Sequence, residues 1–315
     1  MSPNANSYDQ GDVLTSRTLQ QVFPVSLSII GSVVNLICIL SVIHGGLYRQ
    51  SRFAFFLNFL IGNFLMCFVC EPFLAVFAFS SPAVMETSIL CRVHGYVMFS
   101  IGSLGLLNIA LMSVNHYFCV VKYTLYDRVY TTRNVRIMLI GAWLVYPILF
   151  LFPLLEVWGD LKYDQLRFFC NPLLVNGSFR NFLSTAVILL TFPPILVSYV
   201  EILRKFHNTK VNSVQSVAVQ RVRKTNHLIR TIIILISACA GMNLPFLLVT
   251  FIDSEMKNLP LWVHSFALDI GMLSHTGMSL IFSILNEKIK TSFIEIVSKI
   301  FPRKNHSRDL TESQT

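Results

Sequence analysis

Charge is scarce in this 315-residue chain, where Asp, Glu, Lys and Arg together make up 13% of the residues. A soluble domain carries about 25%, so roughly half the ions needed to dress a water-facing surface are missing. Apolar residues make up 54% and the mean hydropathy is +0.61. A soluble enzyme, a disordered tail protein and a small disulfide scaffold all fit these figures poorly. Catalytic patterns are missing as well. The eight histidines show no HExxH spacing, there is no GxSxG, and no glycine-rich phosphate loop precedes a helix. Neither an enzymatic activity nor a cofactor or metal is expected. The first 21 residues are polar and lack the basic-then-apolar order of a cleaved signal peptide. A net charge of +9 would suit nucleic acid only as a patch on a folded surface. Here the basic residues sit in short breaks between apolar runs, and no nucleic-acid partner is expected.

What the chain has is length without charge. Stretches free of Asp, Glu, Lys and Arg cover 22–44, 53–70, 93–121, 137–155, 181–200, 231–252 and 270–286. A helix needs about 20 apolar residues to cross the hydrocarbon, and these runs are continuous rather than alternating as in a barrel strand. The fold class expected is an all-α membrane protein, a seven-transmembrane helix bundle. The second run is followed by Glu71-Pro72 and more apolar residues, and the seventh extends backward past Asp269. Residues 1–21 read as an extracellular tail, 22–285 as the transmembrane domain, 286–301 as an amphipathic eighth helix and 302–315 as a cytoplasmic tail. The run 22–44 then serves as both insertion signal and first span.

Seven spans put the termini on opposite faces, and the bias of Lys and Arg decides which. The segments 45–52, 122–136, 201–230 and 286–315 hold 19 of the 25 basic residues. They are assigned to the cytoplasm, which leaves the N-terminus outside. Asn176-Gly177-Ser178 then lies outside as a glycosylation acceptor, whereas Asn305 falls inside. Five cysteines lie within spans. Cys91 and Cys170 are the two on the oxidising face and are expected to pair.

Several local motifs resemble those of the rhodopsin-like (class A) G-protein-coupled receptors, and the resemblance covers about residues 22–301. Gly31 through Asn35 matches the family's GxxxN, and Leu57 through Asn63 its LNLAxxD stretch. Asn115-His116-Tyr117 stands where the family has D/E-R-Y, 25 residues after Cys91. Trp143 matches the fourth-helix tryptophan, Pro245 the sixth-helix kink, and Phe282 through Asn286 the YxxxN end of the seventh helix. Leu107-Asn108-Ile109-Ala110, with Trp158-Gly159 and Tyr163-Asp164 before Cys170, is most similar to the melatonin-receptor and Moody-like branch.

Four departures from the family pattern cluster in its activation motifs. The sodium-binding Asp is Asn63, which has lost the anion. The Arg of D/E-R-Y is His116, which lacks the always-charged five-donor fork. The toggle Trp is Asn243, and the NPxxY phenol is Phe282. The resemblance implies a plasma-membrane receptor that senses an extracellular ligand and activates a heterotrimeric G protein. Asn63, Asn115, His116, Tyr117, Asn243, Pro245 and Phe282 would carry activation. A receptor-fold protein with weak, constitutive or G-protein-independent signalling is the rival reading, and a channel or transporter a third.

The carboxylates placed within spans are Glu71 and Asp269. Such groups usually face the bundle or a wet cavity. Either they line a ligand pocket with His94, Met98, Phe246, Thr250 and His275, or they hydrogen-bond a neighbouring helix or stay neutral through burial. Amine ligands would need a carboxylate where Met98 stands, and retinal a lysine where Met272 stands. A lipid or other small, mostly neutral ligand fits, and a peptide remains open.

On the inner side, Arg204, Lys205, Lys210, Arg221, Arg223, Lys224 and Arg230 offer a surface for a G protein or for anionic membrane lipids, at about 1 kcal/mol per basic side chain. Ile289, Phe293, Ile296, Val297 and Ile300 form the apolar stripe of the eighth helix. Ser307, Thr311, Ser313 and Thr315 are candidate targets of a receptor kinase, with arrestin as a further partner.

Overall fold

The computed structural model describes residues 10–165, 167–172, 177–211, 234, 237–239, 241–250, 252–253 and 258–300. Six helices are long and apolar enough to cross a bilayer. They are α1 (Gln10–His44), α2 (Ser51–Leu65) continued by α3 (Glu71–Phe79), α5 (Ile89–Val120), α7 (Thr132–Leu154), α8 (Gly177–Val211) and α10 (Leu261–Leu285). The sixth apolar run, 231–252, carries the shorter helical stretch α9 (Ser237–Thr250). Short helices α4 (Pro82–Glu86) and α6 (Tyr123–Val129) lie in the connections, and α11 (Glu287–Ile300) follows α10. The molecule is a seven-transmembrane bundle with a short amphipathic eighth helix.

Its exterior is that of a protein solvated by lipid. Ile29, Leu189 and Leu196 are all more than 60% exposed, whereas Asn35, Asn58, Asn63, Glu71, Asn108 and Asp269 within the spans are buried. In hydrocarbon the backbone must satisfy its own hydrogen bonds, which is why the spans are helical. The breaks follow local chemistry. Ser88 Oγ accepts from the Cys91 N–H at 3.4 Å and starts α5, and Thr131 Oγ1 accepts from the Asn134 N–H at 3.3 Å and starts α7. Pro72 has no N–H to close the turn before it, and residues Met66–Cys70 widen into a π turn between α2 and α3.

The first helix departs from expectation. It begins at Gln10, well inside the segment read as a tail. Two of the polar residues there, Ser16 and Gln20, are buried by partners. Ser16 shares a hydrogen bond with Ser265, and Gln20 Nε2 donates to Asp269 Oδ1 at 2.8 Å. Arg17 donates to the carbonyls of Ala78 (2.8 Å) and Ser80 (3.2 Å), capping the end of α3.

At one end of the bundle a hairpin of β1 (Lys162–Asp164) and β2 (Phe169–Asn171) pairs antiparallel, with Tyr163 opposite Cys170. A disulfide joins Cys91 to Cys170 and holds the hairpin against the start of α5. Near the opposite end α11 tucks the fully buried Ile289 into the core, and Phe293 packs on that core half-buried. Ile296 and Val297 are also half-buried.

Candidate functional site

Beneath the hairpin lies a cavity of about 590 Å³, walled by α2–α3, α5, α7, α8, α9 and α10 and roofed by Phe169. That volume falls within the 300–1,000 Å³ typical of small-molecule sites. Its walls are mainly Leu, Met, Phe, Ile and Val. Five of the seven residues expected to bind ligand reach it: Glu71, Met98, Phe246, Thr250 and His275. Met272 lines it too, so the positions that would need a carboxylate for amines or a lysine for retinal both face the cavity as thioethers.

The other two residues face elsewhere. His94 Nε2 donates to the Cys70 carbonyl at 2.9 Å, and its ring sits between Phe73 and Phe77. It ties α5 to α3. Asp269 is buried against α1 through Gln20. For Asp269 the alternative of a bond to a neighbouring helix is the one the fold realises. Glu71 is fully buried on the cavity wall and accepts from Cys67 Sγ at 3.7 Å. Among the described residues, Glu71 and Arg180 are the two formally charged side chains on that wall.

The floor of the cavity continues into a neutral polar network. His275 Nδ1 donates to Asn63 Oδ1 at 3.3 Å, and Asn63 Nδ2 donates to Ser279 Oγ at 2.9 Å. Asn35 Nδ2 donates to the carbonyls of Gly31 (2.8 Å) and His275 (3.2 Å). A Cβ at Gly31 would collide with Thr276 and Cys67, so the GxxxN motif brings α1, the π turn and α10 into close contact and ties them. Where the family's carboxylate would hold a cation, this chain has amide, imidazole and hydroxyl bonded to one another.

The remaining activation positions are equally specific. Phe282 stacks on Phe56 with centroids 3.8 Å apart, replacing a phenol's hydrogen bond with ring contact. Asn243 lines the cavity, and its amide donates to the Cys239 carbonyl at 3.0 Å. Pro245 lies one turn before the end of α9 and leaves the carbonyl at Gly241 without its usual donor. At the far end of α5, Asn115 Nδ2 donates to the Tyr126 hydroxyl at 3.3 Å, and Tyr117 packs edge-on against Phe118. His116 Nδ1 is buried there without a hydrogen-bond partner among the described residues.

Sequence reasoning missed two assemblies. Asn58 Nδ2 donates to Asn108 Oδ1 and Asn58 Oδ1 accepts from Trp143 Nε1, both at 2.7 Å, joining α2, α5 and α7. Asn58 and Trp143 stood in recognised motifs, so that signal was present. At the roof, Arg167 bonds Asp164 Oδ2 (3.3 Å) and donates to His264 Nδ1 (3.2 Å), and His264 Nε2 donates to Asp253 Oδ2 (3.1 Å). All four side chains are at least 97% buried. This relay bolts the hairpin to the end of α9 and the start of α10. Asn176, the basic residues 221–230 and the tail from 301 lie outside the described residues.

The sequence profile described as "7 transmembrane receptor (rhodopsin family)" matches residues 34–276. Protein trapped in endoderm-1 of Drosophila melanogaster is 22% identical over 291 residues, 85% of this chain and 74% of that protein. The G-protein coupled receptor moody of Drosophila pseudoobscura pseudoobscura is 27% identical over 164 residues, 52% of this chain and 24% of that protein. G-protein coupled receptor 84 of Mus musculus is 22% identical over 160 residues, 49% of this chain and 40% of that protein. The chain thus spans about three quarters of the first of these relatives and less than half of the other two. With a profile match across most of its length and the bundle, disulfide and cavity described above, this chain belongs to the rhodopsin family of seven-transmembrane G-protein-coupled receptors of the cell surface.

Proposed function

We propose that the hairpin end faces outward at the plasma membrane, that a small, mostly apolar ligand occupies the cavity beneath it, and that the opposite end engages a heterotrimeric G protein. The cavity carries this reading: it touches six of the seven spanning segments, including α9 on both sides of Pro245. A ligand shifts a two-state bundle only through its different affinity for the two states, and a ligand here contacts α9 and its neighbours at once. The charge bias of the loops supports the orientation, and a disulfide at the hairpin end suits an oxidising face. In that orientation Asn176 is a glycosylation acceptor.

The receptor binds ligand through Glu71, Met98, Phe246, Thr250 and His275. His275 passes the effect to Asn63 and Ser279, and Phe282 reads it against Phe56. Asn115, His116 and Tyr117 stand at the partner face, where a receptor kinase and arrestin would follow the G protein. Ligand-stimulated nucleotide exchange on a panel of purified G proteins tests this. Stimulation of at least one is expected, and no response from any despite saturable ligand binding would overturn it.

A further inference from the structure

Among the described residues the hairpin covers the cavity from above, and the flank is open. Its roof is Phe169, fully buried, with Phe168 and Arg167 beside it, each less than 5% exposed. That roof is fastened by the disulfide, by the Tyr163 hydroxyl donating to the Phe77 carbonyl at 3.2 Å, and by the Arg167–His264–Asp253 relay. The flank differs. Ile188 and Phe192 on α8 and Leu244 and Leu248 on α9 all line the cavity, yet each is 43–47% exposed on the outside of the bundle. A residue that faces both a cavity and the surroundings marks a seam, and at this depth the surroundings are acyl chains.

The wall also has one cationic corner. Arg180, Asn181 and Ser184 line the cavity near the start of α8. Arg180 and Ser184 are one turn apart on the same face. No carboxylate pairs with Arg180 among the described residues, and no ion pair joins it to Glu71. From Arg180 to Phe192 the helix descends about 18 Å, and the α8 residues that line the cavity below this polar corner, Val187, Ile188 and Phe192, are apolar. A cation at the rim above a long greasy slot suits a ligand with an anionic head and a hydrocarbon tail.

Building on the proposed ligand cavity, we infer that the receptor takes a single-chain anionic amphiphile that slides in from the bilayer between α8 and α9, its head held by Arg180, Asn181 and Ser184. The guanidinium supplies charge-assisted hydrogen bonds to carboxylate or phosphate oxygens, and the seam admits the tail without opening the roof.

The test uses the full chain in neutral phosphatidylcholine nanodiscs, with tritiated oleate, tritiated 1-oleoyl lysophosphatidate and, as the uncharged control, oleyl alcohol. One or both anions should bind saturably and at least about ten-fold more tightly than the alcohol. The tighter anion identifies the head as carboxylate or phosphate. Arg180→Gln should weaken the anions about ten-fold and leave the alcohol unchanged. Ile188→Trp with Leu244→Trp, which fill the seam, should slow association about ten-fold or more while the roof disulfide stays intact by mass spectrometry. Equal binding of oleate and oleyl alcohol, indifference to Arg180→Gln, or background binding of both anions would overturn the inference. If a ligand without an anionic head drives nucleotide exchange, the broader receptor reading stands and this one falls. If ligands bind but exchange never responds, the broader reading falls on its own.

Discussion

The carbonyl of Cys170 occupies the place that a Cβ at position 95 would need. Gly95 lies one turn beyond Cys91, so the hairpin backbone is pressed against α5 at the glycine while the disulfide clamps it alongside. The roof can sit this low because position 95 has no side chain.

Gly95→Ala should therefore lift the hairpin without breaking the disulfide. Overpacking of this kind costs about 1–3 kcal/mol. Thermal unfolding in nanodiscs should show a lower midpoint, and mass spectrometry an unreduced Cys91–Cys170 pair. An unchanged midpoint would mean that the hairpin yields freely.

Asn58 serves two partners at once, so its removal strands both. Asn58→Ala should destabilise the bundle by about 1–3 kcal/mol for each buried group left unsatisfied. Adding Trp143→Phe to Asn58→Ala should cost little more, because the indole has then already lost its acceptor. Additive losses in that double-mutant cycle would show that the two bonds are independent of one another.

Glu71 and Asp269 part company. Glu71→Gln alters the cavity wall and should shift ligand potency about ten-fold, equivalent to about 1.4 kcal/mol. Asp269→Asn keeps an acceptor for Gln20 and should leave potency unchanged. Asp269→Leu strands the Gln20 amide and should lower stability by about 1–3 kcal/mol. Concentration–response curves beside thermal unfolding separate the two residues, and a potency shift in Asp269→Asn would place it back in the ligand site.

The Tyr163 phenol is buried under the hairpin, and burial pushes its pKa up to about 12. An exposed tyrosine titrates near pH 10. The folded value is the higher one, so the phenol's contribution is complete below about pH 10 and is lost as pH rises toward 12. Ultraviolet difference titration of the receptor against Tyr163→Phe should show one late-ionising phenol. A difference signal centred near pH 10 would contradict the buried placement.

Much of the bundle was legible because hydrocarbon demands long charge-free helices, and the breaks between them are written in charge. The cavity was partly legible: Met98, Phe246, Thr250 and His275 were named, and the fold brings them together. His94 and Asp269 were not separable from them, since a polar group in a span looks the same whether it faces a ligand or the next helix. The start of α1 at Gln10 was hidden because Ser16, Arg17 and Gln20 are polar, and only their partners on α10 and α3 make them interior residues. The roof relay was hidden more deeply. Its members stand at 164, 167, 253 and 264, and no periodicity links positions that only folding brings into contact.

Arg17 carries a practical lesson for protein engineers. It sits five residues upstream of the first greasy stretch, reads the carbonyls of Ala78 and Ser80, and lays its guanidinium 5.8 Å from the Phe168 ring centre. A shortened receptor trimmed to begin at residue 22 would keep every hydrophobic pass yet lose the splint between its first two helices and its lid. Fusion partners and purification handles therefore belong ahead of Gln10, and a trimmed version that inserts well and binds nothing would be the signature of that lost splint.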